Sequence, residues 1–460
     1  MRKLRRNAVI PGERPSSAVY GRYEGGGSEP LKFLSIFTPG SPQAEIPSTA
    51  CLLPVTGRVV KKWAIDDAQD LLVTVEWSNV PNSDPTLPKR EEVFFYSLSG
   101  SKTARTPHPA ATVPSLVVFP PDGVAPTESI HIFKLCIARE YVVIEPYVSA
   151  VNYHSLDVWN WMTGQFIKRI EVPGRSLVNF VPLDGIYVLV IMRYSALCVD
   201  IYALAQSAPN HPICALEFPQ DVTSKFPFSC QIATGDRPVS SPGHFRADPS
   251  LSIVSVALYT EDIQYEYASI FLIPHATLLA HIRKAESRQL QEDHTTEPGG
   301  AVVRVPWADW GPCGCLRLRL QQCPHHSSHM SLFPSGSRAP VVPFQVSKIW
   351  ERIDSFFVFE LNPLAARLAK QRLRARGRDQ PPSELEDTAM VEDVEAALPG
   401  VVDPECSAIP YVVYRFKIPG SSTNWHSTGQ TIRAVEMSMT GFTVQFDGVD
   451  FEESLQTWTV

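Results

Sequence analysis

From Arg58 onward, short apolar runs alternate with clusters of turn residues. Leu71–Val75, Val93–Tyr96, Ile130–Ile137, Tyr141–Ile144, Ser155–Trp159, Gln165–Val172, Ile186–Met192, Ala196–Tyr202, Leu251–Tyr259 and Ala268–Ile273 each have strand length and are rich in Val, Ile, Tyr and Phe. Ser97–Gly100 and Asn160–Gly164 supply turn chemistry between such runs. This procession of hairpins, without amphipathic helices between them, argues against a parallel α/β sheet and predicts antiparallel sheets. Strands resume near the end at Tyr411–Phe416, Thr431–Met437, Phe442–Phe446 and Leu455–Val460.

Two regions break the pattern. Residues 1–57 are rich in Gly, Pro and Ser, with Gly25-Gly26-Gly27-Ser28 and one apolar run at Leu31–Phe37, and read as an irregular arm holding one strand. Residues 362–404 open with Asn362-Pro363, a helix cap followed by proline in the first turn, and continue as a basic helix to Gly377. An acidic tract follows, with Glu384, Glu386, Asp387, Glu392, Asp393 and Glu395 between prolines. Opposite charge blocks in sequence predict a solvated, partly helical or disordered insertion, and outweigh reading Arg367–Arg378 as a nucleic-acid patch. The expected map is therefore the arm (1–57), the main β region (58–361), the insertion (362–404) and final strands completing the β region (405–460).

A weak repeat runs through the body. Tyr96, Trp159, Tyr202 and Phe271 each end a strand that leads into a turn and another strand. One of their spacings fits the roughly 40–45 residues of a four-stranded propeller blade, and the others require inserted loops. The fold class expected is all-β, an irregular β-propeller-like array of antiparallel sheets with a charged insertion; two stacked β-sandwiches are the alternative.

Composition sharpens this picture. The 41 prolines among 460 residues oppose long helices. A net charge of -7 gives no overall electrostatic footprint for nucleic acid. The nine cysteines are mostly single residues in apolar runs, where reduced buried thiols are expected. The basic start Met1–Arg6 has no apolar segment after it, no Asn-X-Ser/Thr sequon occurs, and the apolar stretch Gly185–Met192 is far short of a membrane span. Cytoplasm or nucleus is the expected location.

Three segments carry a resemblance. Asp67-Ala68-Gln69-Asp70-Leu71-Leu72-Val73, the turn Val158–Gly164, and Trp307-Ala308-Asp309-Trp310-Gly311-Pro312 resemble landmarks of a large fungal F-box protein family. The resemblance covers roughly Arg58 to the C-terminus. It implies a propeller-like body that recruits a target for a cullin–RING ubiquitin ligase. The Leu-rich helices of an F-box, which would hold the ligase adaptor, have no counterpart in residues 1–57.

Cys313, Cys315, Cys323, His325, His326 and His329 are zinc-ligand types in one neighbourhood. Their spacing fits no zinc template, and Leu316-Arg317-Leu318-Arg319-Leu320 reads as a strand between the halves, with Cys315, Arg317 and Arg319 on one face. No metal is therefore assigned, and no cofactor. The Gly25–Ser28 run lacks the lysine of a phosphate cradle, no Gly-X-Ser-X-Gly or His-Glu-X-X-His motif occurs, and paired acids such as Asp66-Asp67 read as solvated edge charges. No catalytic residues are assigned. Trp159 and Trp307 read as packing residues, whereas Trp161 and Trp310, placed in turns, are the candidate contacts for a partner protein. The function expected is non-catalytic protein binding, with a propeller hydrolase or lyase using a central-channel site, or a general scaffold, as alternatives.

Overall fold

The apolar runs form strands that pair in sequence order as meanders. This computed structural model describes stretches of backbone between 4 and 459, and side chains in stretches between 60 and 416 and at 435. After β1 (Leu4–Asn7), the first sheet holds β2 (Ala18–Arg22), β3 (Phe33–Thr38) and β4 (Thr49–Pro54). The second holds β5 (Arg58–Asp66), β6 (Leu71–Ser78), β7 (Glu91–Ser97) and β8 (Ser115–Val117). The third holds β9 (Ile130–Ala138), β10 (Tyr141–Val148), β11 (Tyr153–Asn160) and β12 (Gln165–Glu171). The fourth holds β13 (Leu177–Leu183), β14 (Tyr187–Arg193), β15 (Leu197–Ala203) and β16 (Cys214–Glu217).

Beyond α1 (Gln220–Thr223), the fifth sheet begins with β17 (Ser229–Thr234), β18 (Ile253–Glu261) and β19 (Glu266–Pro274). Then α2 (His275–Glu292), β20 (Val303–Val305) and α3 (Trp307–Gly314) intervene before β21 (Leu316–Gln322) completes it. β22 (Ser331–Phe333) precedes the sixth sheet, made of β23 (Arg338–Val341), β24 (Ser355–Glu360), β25 (Thr388–Val391) and β26 (Val412–Lys417) in the spatial order β23-β24-β26-β25. Between β24 and β26 the chain also forms α4 (Pro363–Arg376) and α5 (Val394–Ala397). The last sheet is β27 (Thr431–Met437), β28 (Gly441–Asp447) and β29 (Glu452–Thr459), with β1 paired to β29.

The first strands of successive sheets touch: β5 meets β9, β9 meets β13, β13 meets β17, and β23 meets β27. Sheets that meet along their first strands are arranged radially, as in a propeller, and not as two stacked sandwiches. The hydrophobic clusters lie between neighbouring sheets: second with third, third with fourth, fourth with fifth, and fifth with sixth. β14 shows the consequence. Val188, Val190 and Met192 face the core shared with the third sheet, while Leu189 and Ile191 face the core shared with the fifth. A strand buried on both faces needs a continuous apolar run instead of an alternating one, which is why Ile186–Met192 is so uniformly apolar. Tyr96, Trp159, Tyr202 and Phe271 all fall on the third strand of successive sheets, β7, β11, β15 and β19.

The structure departs from the sequence expectation in four respects. The arm 1–57 carries β1 to β4: the run Leu31–Phe37 becomes β3, and β2 and β4 flank it in antiparallel register. The hairpins are not free of amphipathic helices between them, because α2 follows β19 and is the longest helix described. Its Leu278, Ile282 and Ala285, spaced i, i+4, i+7, pack into the core between the fourth and fifth sheets. Not every pairing is antiparallel, since β16 with β20 and β22 with β27 run parallel. Finally, the insertion 362–404 is only partly solvated. Asn362 caps α4 as expected, its Oδ1 accepting the Leu364 N–H at 2.9 Å, but β25 forms the outer strand beside β26, and Asp403 is buried.

Candidate interaction surface

Four of the inner strands share a local irregularity. In β5, β9, β13 and β27 the register with the second strand steps past one extra residue, namely Lys61, Phe133, Val178 and Arg433. A β-bulge of this kind bends the strand and re-aims a side chain. At Phe133 the result is plain. This phenylalanine is 48% exposed, although Ile132 and Lys134 on either side are buried.

Phe133 stands against Tyr147, ring centroids 4.8 Å apart at 50°. His131 lies opposite Tyr147 in the β9–β10 register, with its side chain 42% exposed. The tilted pair of Phe133 and Tyr147, with the exposed His131 beside Tyr147 in the register, makes an aromatic platform at the edge where the third sheet meets the second. Its base is held by polar contacts. Glu91, on β7, accepts the Ile132 N–H at 2.6 Å through Oε2, and its Oε1 lies 3.4 Å from His131 Nδ1. On the other side Lys134 donates to Asn179 Oδ1 at 2.5 Å and sits 5.0 Å from the centre of the Phe180 ring. Asn179 Nδ2 in turn donates to the Cys230 carbonyl at 2.9 Å. These contacts tie the inner strands of the third, fourth and fifth sheets together, and β9 to β7 of the second, beneath the exposed ring. An aromatic pair held in this way offers an apolar face and a ring quadrupole to an incoming side chain.

The residues singled out from sequence fall elsewhere. Trp161 and Trp310 are buried, so neither presents a contact surface, which corrects their reading as partner contacts. Trp161 donates its indole N–H to the Arg139 carbonyl at 2.8 Å and packs edge-on to His108. Trp310 donates to the Glu217 carbonyl at 2.9 Å. Trp307-Ala308-Asp309-Trp310 is not a turn but the start of α3, and a helix of that length buries Trp310 against Phe218 while Trp307 packs on Phe271. Cys313 is exposed at the end of α3, and Cys315 is buried just beyond it. Cys323, His325, His326 and His329 lie outside the described residues. Among the described residues no group of three or more His, Cys, Asp or Glu is arranged to hold a metal ion.

The alternation predicted at Leu316–Leu320 is present, with Leu316, Leu318 and Leu320 facing the core between the fifth and sixth sheets. The opposite face is not solvated at Arg317, which is 4% exposed. Arg317 bonds Asp221 at 2.6 Å and Asp403 at 3.3 Å and lies over the Phe271 ring. Reading the sequence missed the platform at Phe133. Its signal is a slip of phase: Ile130 and Ile132 alternate with His131 and Phe133, after which Lys134 and Leu135 are both buried.

No protein-family model and no curated protein matches the sequence. Among solved structures, the chain is similar to the C-terminal WD40 domain of Sif2, at 9% identity and a TM-score of 0.39 over 100% of this chain and 97% of that one. It is also similar to the β-propeller domain of Vanderwaltozyma polyspora Nup133, at 7% identity and a TM-score of 0.40 over 100% and 98%. The WD40 β-propeller domain of Doa1 follows at 8% identity and a TM-score of 0.29 over 92% and 85%. These likenesses are loose, and the radial architecture rests on the strand order and contacts described above.

Proposed function

We propose that this chain is a non-catalytic protein-binding module that receives an apolar or aromatic segment of a partner protein on the platform of His131, Phe133 and Tyr147. The observation that carries this reading is the half-exposed Phe133, raised by a bulge on an inner strand and braced from both neighbouring sheets. Aromatic side chains on a rigid support lose little freedom on binding and are favoured at the energetic centres of interfaces. The segments that resemble landmarks of the fungal F-box family extend the reading to target recruitment for a cullin–RING ligase. In that case the coupling to the ligase adaptor comes from an F-box outside this chain. The many cysteines in apolar strands fit the reducing cytoplasm or nucleus.

The test compares proteins retained by the wild-type chain and by Phe133→Ala. A specific partner should be retained by the first and lost by the second, with stability changed by less than about 1 kcal/mol because the ring is half exposed. Neither form should capture the ligase adaptor in stoichiometric amount. An unchanged set of retained proteins would overturn the assignment of the surface, and stoichiometric adaptor would overturn the reading of residues 1–57.

A further inference from the structure

The chain between α5 and β26 returns to lie along β21. Val401 accepts the Arg319 N–H at 2.7 Å, Leu318 bridges Val402, and the Asp403 N–H donates to the Arg317 carbonyl at 3.0 Å. The next residues, Pro404–Cys406, form a single helical turn that rests against α3. On the other side, α3 ends where the Cys315 N–H bonds the Gly311 carbonyl. These two local structures bring the Cys315 and Cys406 thiols into hydrogen-bond contact, with Cys315 donating. Both side chains are buried and both are free thiols, while Cys313 on α3 is exposed.

We propose that Cys315 and Cys406 form a reversible dithiol–disulfide modification site, oxidised by hydrogen peroxide, that fastens the start of β21 in the fifth sheet to the segment leading into β26 of the sixth. The Cys315 hydrogen bond holds the Cys406 thiol below its usual range, although burial and the carboxylates of Asp403 and Glu405 oppose this. Burial pushes the Cys315 thiol well above it. Cys406 follows the exposed Pro404 and Glu405, whereas Cys315 lies between the buried Gly314 and Leu316, so Cys406 is the attacking thiolate and Cys315 the resolving thiol. Arg317 lowers the cost of negative charge on either sulfur, and its Nε is buried without a hydrogen-bond partner.

In the first step the Cys406 thiolate attacks one oxygen of the peroxide. An S–O bond forms, the O–O bond breaks, and the departing hydroxide takes a proton to leave as water. In the second step Cys315 attacks the sulfur of the Cys406 sulfenic acid. The S–S bond forms, the S–O bond breaks, and the leaving hydroxide departs as water with the proton of Cys315. Two thiols and one peroxide become one disulfide and two waters, the two electrons passing from sulfur to oxygen. Peroxide is small and uncharged, and the exposed Glu405 puts solvent one residue away from Cys406. The resulting bond closes a loop containing β21, β22, β23, β24, α4, β25 and α5. It also holds Asp403 beneath Arg317.

The experiment treats the folded wild-type chain with hydrogen peroxide, then blocks remaining thiols and maps peptides without reduction. A Cys313→Ser form, altered only at an exposed position, removes ambiguity because Cys313 and Cys315 share a tryptic peptide. The expected result in both forms is a peptide linked through Cys315 and Cys406, a fall of two in titratable thiols at these positions, and full reversal by dithiothreitol. A Cys315→Ala form should instead carry Cys406 on to the sulfinic acid. Oxidation of Cys406 to sulfinic acid in the wild-type chain, or recovery of both thiols unmodified while Cys313 reacts, would overturn the proposal.

Discussion

Asp157 is fully buried on β11, and burial pushes its carboxyl pKa up against the opposing pull of Arg169. Arg169 grips it with two bonds of 2.7 Å, from Nε and Nη2. A buried carboxylate deprived of its partner is costly, so Arg169→Ala should lower unfolding stability by about 3 kcal/mol in urea titration. His275 makes the opposite kind of demand. It is buried at the start of α2, its Nε2 3.0 Å from Thr234 Oγ1, and burial lowers its pKa to about 4. The unfolded chain binds that proton near pH 6.5, so the contribution of neutral His275 is complete above that value. It is lost as the pH falls from 6.5 towards 4, at up to about 1.4 kcal/mol per unit. Melting measured across this window should fall more steeply for the wild type than for His275→Gln. At the same scale, Phe133 was visible in the sequence only as a slip in alternation. Exposure of one residue depends on which neighbours the bulge leaves beside it.

At the scale of elements, most strands were legible because a period of two and β-branched runs are local properties. The strands of the arm were not. β2 and β4 contain Gly21 and Pro54, and become strands through pairing with β3 on both sides. Helix α2 was overlooked although its i, i+4, i+7 spacing is regular, because it directly continues the apolar run of β19. The turn expected at Trp310 became α3 because the fourth and fifth sheets offer a pocket for its rings: Trp310 reaches Phe218 and the Glu217 carbonyl, both just past or within β16. That hydrogen bond gives a direct test. Trp310→Phe keeps most of the apolar contact but leaves the buried carbonyl unmatched, and should cost about 1–2 kcal/mol in denaturant unfolding.

For the whole molecule, the pairing order makes a prediction about cutting. β24 precedes the charged insertion and β26 follows it, yet they are hydrogen-bonded neighbours; β1 and β29 join the two ends in the same way. Trypsin should cut first among the arginines around Arg376 and Arg378, where charge blocks and prolines meet. The two fragments should then co-elute on gel filtration, held by the β24–β26 and β1–β29 pairs. Separation of the fragments, or earlier cutting within Ile130–Glu171, would contradict this architecture.

By itself, the sequence determined the all-β class, the places of most strands from β5 onward, the capped helix at Asn362 and the third-strand repeat of Tyr96, Trp159, Tyr202 and Phe271. These depend on periodicity, capping and turn chemistry, which act between residues close along the chain. Only the tertiary structure decided that Trp161 and Trp310 are buried, that Phe133 is presented, and that Cys315 meets Cys406 instead of Cys313. Each of those outcomes is set by which sheet lies beside which, and burial and thiol contact are created by residues far apart in the chain.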